Sequence, residues 1–442
     1  MKDLNKVFIL TMGCSKNDVD SETMAYKLKN HDYTIINNPN DADYIIINTC
    51  SFINAAKEES IEAIFDMINQ KKEGAKIIVS GCLAQRYSKE LKEEIPEIDI
   101  IVGTGNFQNI SEIIKEYEEN NKDDVYIDNI NADIEYIEKD SADITEYVKI
   151  AEGCNNNCSY CIIPKLRGRL RSRPIDDIVN EINHLYKLGT REVILIAQNT
   201  TDYGMDIYSR PSLDMLLKAI LERTKMPWIR IMYLYPDNIT DELIETFNSS
   251  DRILKYMDIP LQHASDHVLK MMNRHINKDE IHDLITKLRT NIDDLVLRTT
   301  FIVGFPGERE EDFEELLAFI KKEKFDKLGV FEYSDEEGTR SYSFSEKLDE
   351  KTKRSRRDEI MDAQMDISRE SLEKRVGTVM NCLVEDGDAG EYTLRSFMDA
   401  PDVDGVIYLS SDEQLSPGSF VDVKITEALD YDLRGEIYEP SK

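Results

Sequence analysis

The sequence predicts an α/β protein of three successive parts: a parallel-sheet domain, a complete or partial (β/α) barrel, and a small antiparallel β-barrel. Short apolar runs alternate with helical patterns in the first and central parts, which is typical of parallel sheets covered by helices. From Val376 onward the pattern changes to period two with regularly spaced turns, which is typical of a small barrel. The chain has 442 residues, too many for one ordinary core.

The first predicted domain, residues 1–125, contains continuous apolar runs with helical patterns between them. Such runs indicate strands that are buried on both faces. The helical segments between them favour parallel pairing through crossover connections. The predicted strands are Lys6–Met12, Tyr44–Asn48, Lys76–Ser80 and Ile98–Val102, and the predicted helices are Ser21–Asn30, Asn54–Gln70 and Gln85–Glu94. Residues 126–145 are polar and form a predicted linker.

The central domain, residues 146–372, repeats the same alternation over a longer stretch. Five or six βα units predict a barrel, complete or partial, because a closed eight-stranded barrel would need more units than the sequence contains. The predicted strands are Glu192–Ala197, Trp228–Tyr233, Tyr256–Ile259, Leu295–Val303 and Lys327–Phe331. A long charged helix over Lys351–Arg375 follows. The last predicted domain, residues 373–442, is a five-stranded, OB-like barrel.

Composition and charge limit the classes of function. Apolar residues make up 41% of the chain and charged residues 32%, as in a folded globular protein. No apolar run approaches the ~20 residues of a membrane-spanning helix, and the N-terminus lacks the features of a signal peptide, so we expect a cytoplasmic protein without a membrane partner. The net charge of −32 disfavours direct binding of nucleic acid and favours basic partners. The alternative is that this charge only maintains solubility.

Seven cysteines are present. Disulfides are rare in the cytoplasm, so metal binding or catalysis is the better interpretation for most of them. Cys382 lies in an alternating apolar run and is predicted to be a thiol of the hydrophobic core. The other six cysteines form two groups of three.

The second triplet comprises Cys154, Cys158 and Cys161 in a C-x3-C-x2-C motif. This spacing places three thiolates on one tight loop, whereas a four-iron cluster normally takes four cysteines. One iron would therefore be open to an external amino group and carboxylate, which is how a reduced cluster holds S-adenosylmethionine. The alternative is a zinc site completed by His184 or His263, although zinc sites usually carry ligands in short pairs.

The first triplet comprises Cys14, Cys50 and Cys82, which are far apart in sequence. Each follows a predicted strand by two residues and precedes a predicted helix. The carboxyl ends of neighbouring parallel strands face one crevice, so we expect the three thiols to converge and to hold a second cluster. The alternative is three unrelated buried cysteines.

The residues around these cysteines resemble the methylthiotransferase family of radical S-adenosylmethionine enzymes. The similar segments are Gly13–Glu22, Asn48–Cys50, Ser80–Ala84 and the C-x3-C-x2-C loop. The resemblance covers nearly the whole chain and implies an N-terminal cluster domain, a central radical domain and a C-terminal barrel of the TRAM type. It also implies two [4Fe–4S] clusters and S-adenosylmethionine as cofactors, with the two triplets as cluster ligands.

Three segments are similar to the branch of this family that modifies an aspartate of small-subunit ribosomal protein uS12. They are Gly13–Asn17, Tyr233–Pro236, and Gly329–Ser334 with Glu337–Thr339. The other branch modifies adenosine in transfer RNA and remains an alternative. Two residues depart from the pattern: Asn199, where the branch often has Asp, and Asp18, where an apolar residue is more usual.

The charge of the last domain agrees with a protein substrate. Residues 375–442 carry 15 Asp and Glu against 5 Lys and Arg, a net charge of −10. A barrel that binds RNA phosphates should be basic, whereas this one favours a basic ribosomal protein, free or within the ribosome. An acidic barrel that is merely solvated is the alternative.

The resemblance implies a radical mechanism. S-adenosylmethionine at the second triplet gives a radical that takes hydrogen from the aspartate β-carbon, and the first-triplet cluster presents a methylated sulfur to that carbon. A low-potential electron donor is then a required partner. An alternative of another class is a two-cluster electron carrier or sensor.

Five residues are candidates for contacts with S-adenosylmethionine. Gly304 lies in a segment where glycine permits close approach of backbone to a nucleoside, or simply forms a tight turn. Arg298 is a candidate partner of the carboxylate through a bidentate fork. Gln262 follows a predicted strand and is a candidate ribose contact. Tyr160 and Asn199 are implied by the resemblance to lie near the adenine and the amino group.

Overall fold

The structure is a computed structural model that describes residues 5–120 and 124–439. Three large sheets, of which the last is a closed barrel, organise it. The chain divides into two units. The first comprises residues 1–139, 149–173 and 334–342, and the second comprises residues 140–148, 174–333 and 343–442. Among the described residues, no helix is both long enough and apolar enough to cross a membrane.

The N-terminal sheet has six strands in the order β2-β1-β3-β4-β5-β6, and all neighbours are parallel. Its strands are β1 (Asn5–Thr11), β2 (Tyr33–Ile35), β3 (Tyr44–Thr49), β4 (Lys76–Gly81), β5 (Ile100–Val102) and β6 (Val125–Tyr126). Its helices are α1 (Ser15–Lys29), α2 (Asn54–Gln70), α3 (Cys82–Arg86), α4 (Ser88–Glu94) and α5 (Ile110–Asn120), with 3-10 turns at Pro39–Asp41 and Phe107–Asn109. The predicted parallel-sheet domain is therefore confirmed.

Two hydrophobic cores cover the faces of this sheet. Ile45 and Ile47 point to the core formed with α2, α3 and α4, whereas Tyr44 and Ile46 point to the core formed with α1 and α5. This alternation explains why β3 is apolar over residues 44–47: each of its two faces is buried against helices.

Helix α1 begins at Ser15, six residues before the predicted start at Ser21. Its first turn carries polar residues and so lacks an apolar periodicity. The backbone explains the earlier start: Cys14 is the extended N-cap residue, and its carbonyl accepts a hydrogen bond from the Asn17 N–H at 2.7 Å. The predicted helix Gln85–Glu94 is instead two short helices, α3 and α4, which meet at Tyr87.

The central sheet also has six strands, in the order β14-β13-β12-β11-β10-β7, and β10 to β14 are parallel. Its strands are β7 (Thr145–Lys149), β10 (Glu192–Ile196), β11 (Trp228–Ile231), β12 (Ile253–Asp258), β13 (Val296–Val303) and β14 (Lys327–Glu332). Between β7 and β10 lie the short antiparallel pair β8 (Ala151–Glu152) and β9 (Arg171–Ser172) with helix α6 (Ile163–Arg167). The sheet is open, so the prediction of a partial barrel is correct and a closed one is excluded.

Helices connect the central strands as predicted. They are α7 (Ile175–Leu188), α8 (Leu213–Arg223), α9 (Asp241–Asn248), α10 (Asp266–Met271), α11 (Lys278–Asn291), α12 (Glu310–Glu323) and α13 (Glu350–Glu373), with 3-10 turns at Pro236–Asn238 and Ser341–Ser343. Helix α13 is the long charged helix of the sequence prediction.

The C-terminal barrel is closed and five-stranded, in the order β15-β16-β17-β19-β18. Its strands are β15 (Val379–Asp388), β16 (Glu391–Arg395), β17 (Ile407–Ser410), β18 (Phe420–Ala428) and β19 (Leu433–Ile437). The pair β17–β19 is parallel, whereas the prediction was fully antiparallel. An odd number of strands in a closed ring cannot alternate strictly in direction, so one pair must be parallel. Cys382 in β15 is fully buried, as predicted for a core thiol.

Candidate functional site

The first triplet lies at the carboxyl ends of three neighbouring strands, β1, β3 and β4. Cys14 precedes α1, Cys50 directly follows β3, and Cys82 is the first residue of α3. Cys50 and Cys82 are buried, whereas Cys14 is exposed. The strand order therefore brings together three cysteines that are distant in sequence.

Two glycines allow the three strand ends to approach closely. Gly13 has φ +98°, and a Cβ there would lie 2.7 Å from Cys50 Cβ. Gly81 has φ +92°, and a Cβ there would lie 2.5 Å from the carbonyl oxygen of Thr49. Both positions combine a left-handed backbone with a contact that excludes any side chain.

The surroundings of the first triplet fit a sulfur-rich cluster. The buried hydroxyls of Ser15, Ser51 and Ser80 each lie within two residues of one of these cysteines, and none has a hydrogen-bond partner in the described part of the chain. Buried hydroxyls are nearly always hydrogen-bonded. Cluster sulfurs accept hydrogen bonds from nearby donors, so the three serines have the chemistry to surround such a group.

Burial opposes ionisation of the two buried thiols, Cys50 and Cys82. It raises the pKa of Cys50, and it raises the pKa of Cys82 to about 12, with the Arg167 guanidinium acting in the opposite direction on both. A thiol that binds iron does so as a thiolate. The positive charge of Arg167 therefore assists the ligand form of Cys50 and Cys82.

The second triplet lies in the loop between β8 and β9. Cys154, Cys158 and Cys161 are all partly exposed. The Asn156 N–H donates a hydrogen bond to Cys154 Sγ at 3.4 Å. A Cβ at Gly153, which has φ +79°, would lie 2.1 Å from the carbonyl oxygen of Arg169. The loop thus folds back on itself and leaves its thiols accessible.

No three Cys, His, Asp or Glu side chains within residues 5–120 and 124–439 are arranged to hold a single metal ion. Cysteines around a four-iron cluster bind different irons, so they need not surround one point. The zinc alternative gains no support from this arrangement. Its candidate ligand His263 is buried beside Glu308, with Nε2 3.6 Å from a carboxylate oxygen.

Arg167, at the end of α6, links the second-triplet loop to helix α1 within the first unit. Its Nη1 lies 2.5 Å from Asp20 Oδ2, and its Nη2 donates to Asn17 Oδ1 at 2.5 Å. Lys149 pairs with the same Asp20 and, at 2.7 Å, with Glu152. Sequence reasoning missed this network, because arginine occurs four times between residues 167 and 173 without a pattern that distinguishes one from another.

Gly304 lies in a tight turn that other protein groups fill. Its N–H and that of Phe305 donate to Glu308 Oε2 at 2.8 and 3.2 Å. Gly304 has φ +74°, and a Cβ there would lie 2.3 Å from Lys353 Cγ. Gln262 has φ +73° and extends the ladder between β12 and β13 by a bridge to Phe301.

Arg298 has partners within the second unit. Its Nη1 lies 2.8 Å from Asp258 Oδ1 and its Nε 3.8 Å from Asp404 Oδ1. Burial acts to lower its pKa, but these carboxylates raise it. Arg298 also lies six residues before Gly304. At about 3.3 Å per residue of strand, the two residues are about 20 Å apart. The contacts favour a structural role for Arg298, and its assignment to S-adenosylmethionine stays a prediction.

The two remaining candidates lie in different units. Asn199 belongs to the second unit and is buried, and its Oδ1 accepts hydrogen bonds from the Thr201 N–H and hydroxyl at 3.1 and 2.7 Å. Tyr160 belongs to the first unit and is partly exposed beside Cys161. Their predicted contacts with the cofactor also stay predictions.

Three family models match successive parts of the chain. Residues 6–103 match the uncharacterized protein family UPF0004, residues 148–320 match the radical SAM superfamily, and residues 376–437 match the TRAM domain. Together they follow the three-part architecture that the sequence predicted.

Curated relatives are similar over the whole length. The ribosomal protein uS12 methylthiotransferase RimO of Thermoanaerobacter sp. (strain X514) is 47% identical over 98% of this chain and 100% of its own. The protein of the same name from Clostridioides difficile (strain 630) is 46% identical over 98% of both chains.

Solved structures share the fold at low sequence identity. The radical S-adenosylmethionine methyltransferase TsrM from Kitasatospora setae, with tryptophan and a cofactor analogue bound, matches with a TM-score of 0.56 at 12% identity, over 74% of this chain and 72% of that one. The cobalamin-dependent radical enzyme OxsB matches with a TM-score of 0.52 at 13% identity, over 81% of this chain and 56% of that one.

The full-length identity to curated relatives, together with the radical SAM and TRAM matches, identifies the family. The chain belongs to the RimO family of methylthiotransferases, which are radical S-adenosylmethionine enzymes.

Proposed function

We propose that this enzyme adds a methylthio group to the β-carbon of an aspartate in ribosomal protein uS12. The observation that carries the proposal is the placement of both cysteine triplets in one unit, with the loop of the second triplet bonded through Arg167 to α1, the helix that follows Cys14. Sulfur insertion requires a radical source and a sulfur donor near the same carbon. The presence of both triplets in the same unit supports that arrangement.

The cofactors are two [4Fe–4S] clusters and S-adenosylmethionine, as predicted from the sequence and as membership of the family establishes. We assign the radical cluster to Cys154, Cys158 and Cys161 and the auxiliary cluster to the first triplet. When bound, these groups supply the one-electron chemistry, the sulfur and the methyl group, while the protein binds, orients and shields them.

The burial of the first triplet suggests how the protein orients this chemistry. Cys50 and Cys82 are buried, so they and the nearby serine hydroxyls form the inner wall of the proposed cluster site. Cys14 is exposed. The substrate aspartate therefore has access from the side of Cys14, while the opposite side excludes water.

The charge of the chain supports a basic protein substrate. The net charge is −32, and the residues of the barrel domain contribute −10 of it. An anionic surface attracts a basic ribosomal protein and repels RNA phosphates, so the transfer-RNA alternative is not favoured. Membership of an enzyme family excludes the electron-carrier alternative. We further propose that a low-potential electron donor is a partner.

The ligand assignment is tested by counting iron and sulfide on anaerobically prepared protein. We expect two four-iron clusters in the native chain. Alanine replacement of the first triplet and alanine replacement of the second triplet should each remove one cluster and leave the other. Loss of both clusters in either variant, in a protein that remains folded, would contradict the assignment.

The substrate is tested by offering the reduced, cluster-loaded enzyme ribosomal protein uS12 and transfer RNA in parallel. We expect mass spectrometry to find a methylthio group on an aspartate of the protein and none on the RNA. Modification of the RNA alone would overturn the choice of substrate and leave the chemistry of the family intact.

A further inference from the structure

Arg167 is a buried cation that belongs to the loop of one triplet and contacts the surroundings of the other. Its side chain is 2% exposed, and it forms a closed group with Asp20, Glu152 and Lys149, all of which are also buried. Two cations face two carboxylates, so the group as a whole is neutral. Such a group is costly to bury unless every charge is paired. A role at the neighbouring cofactor site would account for four buried charges at this position.

One amide separates Arg167 from the first triplet. Asn17 Oδ1 accepts the hydrogen bond from the guanidinium at 2.5 Å, and the Asn17 N–H donates to the Cys14 carbonyl at 2.7 Å. The Asn17 amide nitrogen also donates to the carbonyls of Met12 and Thr49, at 2.7 and 3.2 Å. These two residues precede Cys14 and Cys50, so Arg167 is connected through the Asn17 side chain to the turn that presents both thiols.

The third cysteine contacts the same helix. Cys82 packs in an apolar cluster with Ile162 and Leu166, which lie immediately before and within α6. Arg167 directly follows Leu166 at the end of α6 and, like Cys82, is buried. The same helix therefore holds the guanidinium near the turn of Cys14 and Cys50 and packs against Cys82.

We propose that Arg167 is a positioning residue for the auxiliary cluster. Arg167 holds a positive charge beside the first triplet and thereby sets the reduction potential of that cluster. A cluster bound by thiolates becomes more negative when it is reduced. A fixed cation in a water-excluded site stabilises the reduced form and raises the potential. Asp20 opposes this effect, because it balances the cation from the other side.

This inference rests on the proposed assignment of the first triplet to the auxiliary cluster. The test therefore uses the full chain with Cys154, Cys158 and Cys161 replaced by alanine, in which only the auxiliary cluster is expected. If iron and sulfide counting finds no cluster in that background with Arg167 intact, the ligand assignment has failed. If the cluster is present, the potential can be measured and the role of Arg167 is tested separately.

The midpoint potential of the remaining cluster is measured by redox titration followed by electron paramagnetic resonance. We expect Arg167→Met to disfavour reduction at least tenfold, a negative shift of ~59 mV for one electron. Asp20→Asn should shift the potential in the positive direction, because it leaves the cation less balanced. Opposite signs distinguish an electrostatic role from general damage to the site, which would move both variants alike.

Arg169→Met is the matched control. Arg169 lies two residues from Arg167 on the same loop and is exposed, so the same loss of charge in high-dielectric surroundings should leave the potential unchanged. Equal shifts in Arg167→Met and Arg169→Met would overturn the proposal. If Arg167→Met loses the cluster, Asp20→Asn decides: a positive shift supports the proposal, and no shift or a negative shift overturns it.

Discussion

Gly304 shows how packing and backbone conformation select a residue at a single position. Its φ of +74° lies in the region that side chains disfavour, and the Lys353 stem occupies the space that a Cβ would need. The nearby Glu308 accepts the two amide hydrogens of the turn and pairs with Arg356 at 2.5 Å. Helix α13 therefore locks the turn after β13 through two contacts.

Replacing Gly304 by alanine should destabilise the second unit. The left-handed backbone costs about 1–2 kcal/mol for a residue with a side chain, and displacement of Lys353 adds about 1–3 kcal/mol of overpacking. The free energy of unfolding, measured by chemical denaturation, gives the sum. Gly189→Ala is the matched control, since Gly189 has φ +116° and nothing within 4 Å of the added methyl group.

The part of the decrease in unfolding free energy that comes from overpacking is isolated by combining Gly304→Ala with Lys353→Ala. Removing the Lys353 stem opens the space, so the two changes should be less than additive in the free energy of unfolding. Strict additivity would show that Lys353 does not crowd this position. The sequence predicted that Gly304 permits close approach of a bound nucleoside, and that contact stays a prediction. The sequence could not indicate that a side chain from a helix near residue 353 packs against this position.

At the scale of elements, a buried carboxylate in the segment 334–342 pairs with two cations from earlier parts of the first unit. Glu336 is 2% exposed and pairs with Lys57 at 2.9 Å and Arg86 at 2.7 Å. Arg86 also donates to the carbonyls of Ser51, beside Cys50, and of Glu337. The segment therefore contacts α2 and α3, and Arg86 connects it to Ser51, the residue that follows a predicted cluster ligand.

Glu336→Gln should loosen this segment without unfolding the chain. Removing one partner of a buried ion pair costs about 3–5 kcal/mol, and here the loss falls on a short segment. We expect faster amide hydrogen exchange over residues 334–342 and 51–60 at pH 7. Burial acts to raise the Glu336 pKa, but the hydrogen bonds from Ser334, Lys57 and Arg86 lower it. The native carboxylate is therefore charged at pH 7, and the substitution removes the full contribution of its ion pairs to stability.

Glu337→Gln provides the comparison, because Glu337 is the next residue and its side chain is exposed. It should leave hydrogen exchange in the segment unchanged. If both variants exchange equally, the ion pairs of Glu336 do not hold the segment. The sequence singled out Glu337–Thr339 as a family motif but gave no sign of the neighbouring Glu336, because its partners lie some 250 residues earlier in the chain.

The elements that the sequence predicted well are those whose periodicity is set by burial. Helix α2 has the predicted bounds, Asn54–Gln70, since its apolar face packs on β3 and β4. The start of α1 was missed because Cys14 and the polar residues after it bind one another rather than the core. A local pattern reports burial, and it does not report hydrogen bonds between residues of a site.

At the scale of the whole molecule, the sequence predicted three parts in order along the chain, and the structure folds them into two units that the chain enters more than once. Residues 149–173 and 334–342 both belong to the first unit. The convergence of the first triplet was predicted from the rule for parallel strand ends, and the strand order β1-β3-β4 places the three cysteines at neighbouring strand ends. The ion-pair network of Arg167 could not be predicted from the sequence, because the sequence does not distinguish a buried, paired arginine in a loop from a solvated one.

Within the second unit, a buried charged triad joins the barrel to the central sheet. Glu192 in β10 lies 2.7 Å from Arg230 Nε in β11 and 2.5 Å from Arg395 Nη2 in β16. All three side chains are at most 1% exposed. Trp228 packs edge to face on Phe420 of β18 at the same junction, with ring centroids 5.0 Å apart.

Glu192→Gln should break this junction, because it leaves two buried guanidinium groups without their shared carboxylate. We expect a loss of about 3–5 kcal/mol in the free energy of unfolding of the second unit. Burial acts to raise the Glu192 pKa, but Arg230 and Arg395 lower it below its usual 4.5. Its contribution is therefore complete above that value and is lost only as the pH falls through the lowered pKa, so the measurement belongs at pH 7.

The fluorescence of Trp228, the single tryptophan of the chain, reports denaturation at this junction. Glu427→Gln is the comparison, since Glu427 pairs with Arg434 at 3.3 Å on the barrel surface and both side chains are more than half exposed. Removing that pair should cost less than about 1 kcal/mol. Equal losses in the two variants would mean that the triad does not couple the barrel to the sheet, and that apolar contacts such as Trp228 with Phe420 hold the junction instead.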